Sequence, residues 1–129
     1  MGKRKDDCKA RIAEAWKSRR ADFRAFMRDT GGTEETGSFY EYGLSFGWVS
    51  PGTFTRQRSG FYEYLLSWGG PSDMVRFHPR GGKGFRVEYR FHDWFDGAGK
   101  DITGTKVADW LIDTFSEVAE MDPNGRSDD

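Results

Sequence analysis

The chain is predicted to be one α+β domain: a four-stranded antiparallel β-meander flanked by an N-terminal and a C-terminal helix, both packed on one face (α-β-β-β-β-α). Three observations predict it. Both ends of the chain carry apolar residues at helical spacing, and residues 39–94 carry them at every second position. Short turn-forming runs separate the alternating stretches, and short connections favour antiparallel neighbours. At 129 residues, a single core is expected, because a chain of this size buries roughly two-thirds of its unfolded surface.

The first helix is expected over 5–29. No Gly or Pro interrupts it, Ile12, Trp16, Phe23, Phe26 and Met27 recur near helical spacing, and Gly31-Gly32 can close it. Thr33 to Ser38 reads as a polar linker. From Phe39 to Trp48 the period changes to two, with Tyr40, Tyr42, Leu44, Phe46 and Trp48 alternating with Glu41, Gly43, Ser45 and Gly47. That pattern predicts the first strand. A loop over 50–60 leads to a second strand holding Tyr62, Tyr64, Leu66 and Trp68 on one side, and Gly69-Gly70-Pro71 turns the chain.

The third strand holds Met74 to His78, and a glycine-rich turn joins it to a fourth over Phe85 to Asp93. Pairing Val75 with Tyr89 and Phe77 with Val87 sets Arg76 opposite Glu88 and His78 opposite Arg86, which satisfies both the apolar pattern and charge complementarity. Asp96-Gly97-Ala98-Gly99 is read as the end of the sheet. The second helix is expected over 105–120, with Val107, Trp110, Leu111, Thr114, Phe115 and Val118 as its apolar stripe and Thr103 or Thr105 as its cap. Residues 122–129 read as a frayed tail. The sheet face turned away from the helices then carries Glu41, Ser45, Glu63, Ser67, Arg76, His78, Arg86, Glu88 and Arg90.

Charge is balanced overall but polarised along the chain. Residues 1–30 hold ten Lys and Arg against five Asp and Glu, and the rest holds ten against sixteen, so net +5 is followed by net −6. The single cysteine, Cys8, excludes an internal disulfide and a thiolate zinc cluster, and reads as an incidental thiol on a helix. The basic start runs into Asp6-Asp7 rather than an apolar stretch, and no apolar run approaches the roughly 20 residues that span a bilayer. A cytoplasmic location and no membrane partner are therefore expected.

Catalytic chemistry finds little to work with. His78 and His92 lie about 20 Å apart on extended strands at roughly 3.3 Å per residue, too far to share one substrate bond. Glu88 and Asp93 differ by five and point to opposite faces of a regular strand, so they do not converge on a metal with Asp96. Arg80-Gly81-Gly82-Lys83-Gly84 joins two strands and lacks the helix that a phosphate loop uses. Lys83 to Tyr89 echoes an RNA-recognition strand, but its aromatics face the expected core and the element order differs. No catalytic set, cofactor or metal is expected.

Two glycine- and aromatic-rich connectors remain, Trp48 to Phe54 and Leu66 to Asp73. Their aromatics either form a binding hot spot or plug the end of the core. At these connectors the chain resembles a loose group of small accessory proteins carried by plasmids and phages. The shared words are Glu41-Tyr42-Gly43-Leu44-Ser45-Phe46, Pro51-Gly52-Thr53-Phe54, Leu66-Ser67-Trp68-Gly69-Gly70-Pro71-Ser72, and Val87-Glu88-Tyr89 through Asp93-Trp94-Phe95-Asp96-Gly97-Ala98. The likeness covers about residues 40–118 and stops short of the basic helix.

The resemblance implies an anti-defence protein, anti-CRISPR or antirestriction, acting by stoichiometric binding to a host defence protein or nucleoprotein complex such as CRISPR-Cas. The expected contacts are the acidic second helix, with Asp109, Asp113, Glu117 and Glu120, and the polar sheet face, with Glu63, Arg76, Glu88 and Arg90. The alternative is nucleic-acid binding through the basic helix, by Lys3, Arg4, Lys5, Lys9, Arg11, Lys17, Arg19, Arg20, Arg24 and Arg28. Homodimerisation through exposed aromatics stays open.

Overall fold

Asp7 starts the first helix by accepting the Ala10 amide on its carboxylate at 2.9 Å, and α1 runs Cys8–Arg28. The computed structural model describes residues 7–126, so the expected helix start at Lys5 and the tail beyond Arg126 lie outside the described residues. Ile12, Trp16, Phe23 and Phe26 are buried as their spacing predicts. Cys8 is no incidental thiol. It is fully buried, its amide donates to the Asp96 carboxylate at 2.8 Å, and burial pushes its thiol pKa up.

The expected first strand begins too early. Ser38 accepts the Tyr40 amide at 3.1 Å and caps a single helical turn, α2, over Phe39–Tyr42. That turn drives Phe39 into the core against Phe26, Trp110 and Phe115, which a continuous strand would not allow. It also removes Glu41 from the sheet face. Gly43 follows because the Tyr64 ring lies where a side chain would be, 2.2 Å from an added Cβ.

The sheet has five strands, not four: β1 Ser45–Val49, β2 Phe61–Ser67, β3 Ser72–Pro79, β4 Phe85–Asp93 and β5 Asp96–Asp101. They are ordered β1-β2-β3-β4-β5 with every neighbour antiparallel. The β3–β4 register is the expected one, with Val75 opposite Tyr89, Phe77 opposite Val87, Arg76 opposite Glu88 and His78 opposite Arg86. The glycines read as the end of the sheet instead form β5. Gly97 and Gly99 leave the space that His92, Glu88 and Arg90 fill as they lie across this edge strand.

A register shift between Leu65 and Ser67 turns Ser67 to the helix side, where its hydroxyl donates to Asp73. Thr105, not Thr103, caps α3 at Lys106–Val118, accepting the Ala108 amide at 3.2 Å. The helix ends two residues earlier than expected, which leaves Val118 exposed and Glu120 in a left-handed turn at φ +55°. The residues after it are not frayed as far as they are described. Met121 is buried, the Asp122 amide donates to the Tyr62 hydroxyl at 3.1 Å, and Pro123 accepts the Gly81 amide at 2.8 Å.

Helices α1 and α3 cover one face of the sheet through Trp16, Phe23, Tyr64, Val75, Phe77, Val87, Tyr89, Leu111 and Phe115. A buried carboxylate fixes α1 to it. Arg19 donates to both oxygens of Asp73 through Nε and Nη2 at 2.7 and 2.9 Å, and Tyr89 donates to the same carboxylate at 2.7 Å. Burial alone would raise the Asp73 pKa, but these donors hold it below the usual carboxylate value. Among the described residues no helix is long and apolar enough to cross a membrane.

Candidate binding site on the open sheet face

With both helices on one side, the other face of the sheet is left to side chains and loops. Glu63 and Arg76 are cross-strand partners on β2 and β3, joined at 2.9 Å. Next to them runs a polar chain on β3 and β4. His78 donates to Glu88 at 3.2 Å, Arg90 donates to Glu88 at 3.0 Å, and Arg90 donates through Nε to His92 at 3.0 Å.

These contacts set the charge states. Burial would raise the Glu88 pKa, yet the His78 hydrogen bond and the Arg90 charge bring it down to about 2. Burial lowers the pKa of His92, and Arg90 and Arg76 lower it further. A neutral His92 is what accepting the Arg90 N–H requires.

The loop over 50–60 folds back onto this face. Gln57 ties it down, accepting the Phe54 amide at 2.9 Å and donating to the Ser59 carbonyl at 2.9 Å. The Phe54 ring thereby lies parallel to Phe61 at 6.3 Å, and Arg76 sits over both rings at 5.3 and 4.6 Å. From the other end of the sheet come two turns. One presents Trp68 and is held by Ser72, whose hydroxyl donates to the Gly69 carbonyl at 3.0 Å. The second is the two-residue tip Trp94-Phe95 between the paired Asp93 and Asp96.

Together they enclose an open cleft of about 1150 Å³ with Glu63, Met74, Arg76 and His92 on its floor. Phe54, Trp68, Trp94 and Phe95 rim it, and they are 47, 77, 89 and 102 % exposed. Monomeric surfaces rarely gather so many large aromatics unless they bind something. No family model, curated protein or solved structure matches this chain.

The expected partner-binding residues separate into two groups. Glu63 and Arg76 line the cleft, and Glu88 and Arg90 stand beside it, all four already engaged with each other or with neighbouring histidines. Asp109, Asp113 and Glu117 form an exposed row on α3 and Glu120 lies just beyond, across the sheet from the cleft. The basic set divides too. Arg11 and Arg19 are structural, pairing with Asp93 at 2.6 Å and with Asp73. Lys9, Lys17, Arg20, Arg24 and Arg28 are exposed, and Lys3, Arg4 and Lys5 lie outside the described residues.

The two connector tryptophans part ways in the structure: one packs into the core and the other stays exposed. Trp48 plugs the core, edge-on to Tyr62 at 4.8 Å and filling the place of a side chain at Gly60. Trp68 rims the cleft. Sequence reasoning missed Trp94 and Phe95 by taking them for a strand end, and the signal was there: two aromatics bracketed by Asp93 and Asp96 at hairpin-tip spacing. Among the described residues no group of three or more His, Cys, Asp or Glu could hold a metal ion.

Proposed function

We propose that this chain is a non-catalytic binding protein that docks a folded protein partner in the aromatic-rimmed cleft of the open sheet face. The observation that carries this reading is the convergence of Phe54, Trp68, Trp94 and Phe95, from three separate loops, on one floor where Glu63 and Arg76 neutralise each other. Aromatics and arginine without lysine are the composition of protein interfaces, and among the described residues the lining holds Arg56 and Arg76 but no lysine. At about 1150 Å³ the open cleft exceeds the roughly 300–1,000 Å³ of small-molecule pockets.

The partner class we assign is a host defence complex, inhibited by stoichiometric binding. Support for it is the resemblance to plasmid and phage accessory proteins. Three of the four words that carry that resemblance supply the cleft rim: Phe54 from Pro51 to Phe54, Trp68 from Leu66 to Ser72, and Trp94 with Phe95 from the last.

The test is purification of the tagged chain from its host, with nuclease, followed by mass spectrometry, comparing wild type with the triple variant Trp68→Ser, Trp94→Ser and Phe95→Ser. The expected result is a defence subunit at near-equal stoichiometry in the wild type, reduced at least tenfold by the triple variant. Reversing Asp109, Asp113 and Glu117 should leave capture unchanged. Retention by the aromatic variant with loss in the acidic one would move docking to α3 and overturn the assignment.

A further inference from the structure

We propose that the outer face of α1, with the start of α3, forms a second site that takes the phosphodiester backbone of a nucleic acid without reading its bases. It is carried by different residues from the cleft and stands or falls separately. Arg20, Arg24 and Arg28 recur every fourth residue, so their guanidiniums form a row with a step of about 6 Å along the helix. With Met27 they line a cleft of about 470 Å³ whose far side is Thr105, Lys106 and Val107 at the start of α3.

No carboxylate lines that cleft, and none of Arg20, Arg24, Arg28 or Lys106 has an ion-pair partner among the described residues. This contrasts with the same helix's inner arginines, Arg11 and Arg19, which both find carboxylates. Like charges stacked at four-residue spacing repel and weaken a helix, and no ion pair among the described residues offsets the row. An external polyanion would relieve the repulsion.

The surroundings favour the same ligand. The first turn of α3 has amide groups without intrahelical acceptors and carries the positive end of its dipole, next to Lys106. Arginine presents a planar fork that fits phosphate oxygens. Lys17 and Lys9 continue the exposed basic surface toward the start of α1, which suits a linear polymer better than a compact anion. On α3 the acidic row begins at Asp109, one turn beyond Lys106, and steers the polyanion along α1 rather than across α3.

Fluorescence anisotropy with labelled single-stranded RNA, single-stranded DNA and duplex DNA of mixed sequence, from 50 to 300 mM salt, tests this. Four phosphate contacts predict a log–log salt slope of about −2.8 on a single strand and about −3.6 on a duplex, since each contributes about −0.7 and −0.9 respectively. Combining Arg20→Gln, Arg24→Gln and Arg28→Gln should lower affinity at least tenfold at 50 mM and flatten the slope by two to three units, on the order of one per residue lost. Lys106→Gln alone should flatten it by about one.

The melting temperature of the triple variant should hold or rise, because repulsion is removed and nothing buried is touched. The aromatic variant of the cleft should bind oligonucleotides as the wild type does. Absence of binding at 50 mM, an unchanged slope in the arginine variant, or binding of short polyphosphate but of no oligonucleotide would each overturn the proposal.

Discussion

Glu88 has most of its carboxylate out of water, held between His78 at 3.2 Å and Arg90 at 3.0 Å. Because its pKa is brought down to about 2 from 4.5, the folded state gives up its stabilisation as pH falls through that window and keeps it fully above. The difference corresponds to about 3 kcal/mol at 1.36 kcal/mol per unit. His92, also lowered, works in the same direction from pH 6.5 downward, since the unfolded imidazole takes up a proton before the folded one. Urea midpoints measured from pH 7 to 2 should therefore fall steeply below pH 4.5 in the wild type. Glu88→Gln should flatten that lower limb while preserving the loss that sets in below pH 6.5. A variant that kept the full acid limb would place the titration in another carboxylate, with Asp73 the next candidate.

At the scale of elements, the β4–β5 hairpin has a feature that stability alone would not produce. Its two-residue tip is Trp94-Phe95, with Trp94 in the left-handed region at φ +57°, where glycine or asparagine is the usual occupant and other residues are strained by roughly 1–2 kcal/mol. Trp94→Gly should raise stability by about 1 kcal/mol and weaken partner capture at least tenfold. If stability fell instead, the indole would be a packing residue and its place in the cleft incidental.

The strands on either side of β4 differ in what could be read beforehand. The β3–β4 register was legible because alternation and charge pairing agreed on one answer, and both long helices were legible from their apolar spacing. The short helix α2 was not, since the alternation of Tyr40, Tyr42 and Leu44 runs straight through it and only the Ser38 cap and the burial of Phe39 break it. Strand β5 was hidden because Gly97 and Gly99 exist to make room for side chains of β4, a three-dimensional reason with no apolar period. Without β5 the turn before it has no identity, so Phe54 and Trp68 could be suspected of binding while Trp94 and Phe95 could not.

Taken whole, the molecule divides along its sheet. The helix layer holds the basic row of α1 and the acidic row of α3 on one side, and the opposite side holds the aromatic cleft over neutralised ion pairs. A helix layer and a sheet separate the two proposed sites, on the order of 10 Å per layer, so a ligand at one cannot touch residues of the other. They also share no residue whose charge state both could change. Arg19, next to Arg20 in sequence, is committed to Asp73 in the core.

Binding at the two faces should accordingly be independent, and a partner that is itself a nucleoprotein could be held by protein on one face and by backbone phosphates on the other. The oligonucleotide affinity of the free chain and of the chain saturated with its captured protein partner should agree within about twofold at equal salt, measured with the partner's own nucleic acid removed. Competition stronger than tenfold would mean that protein and phosphate meet on the same face, and the row on α1 would then be part of the protein-docking surface.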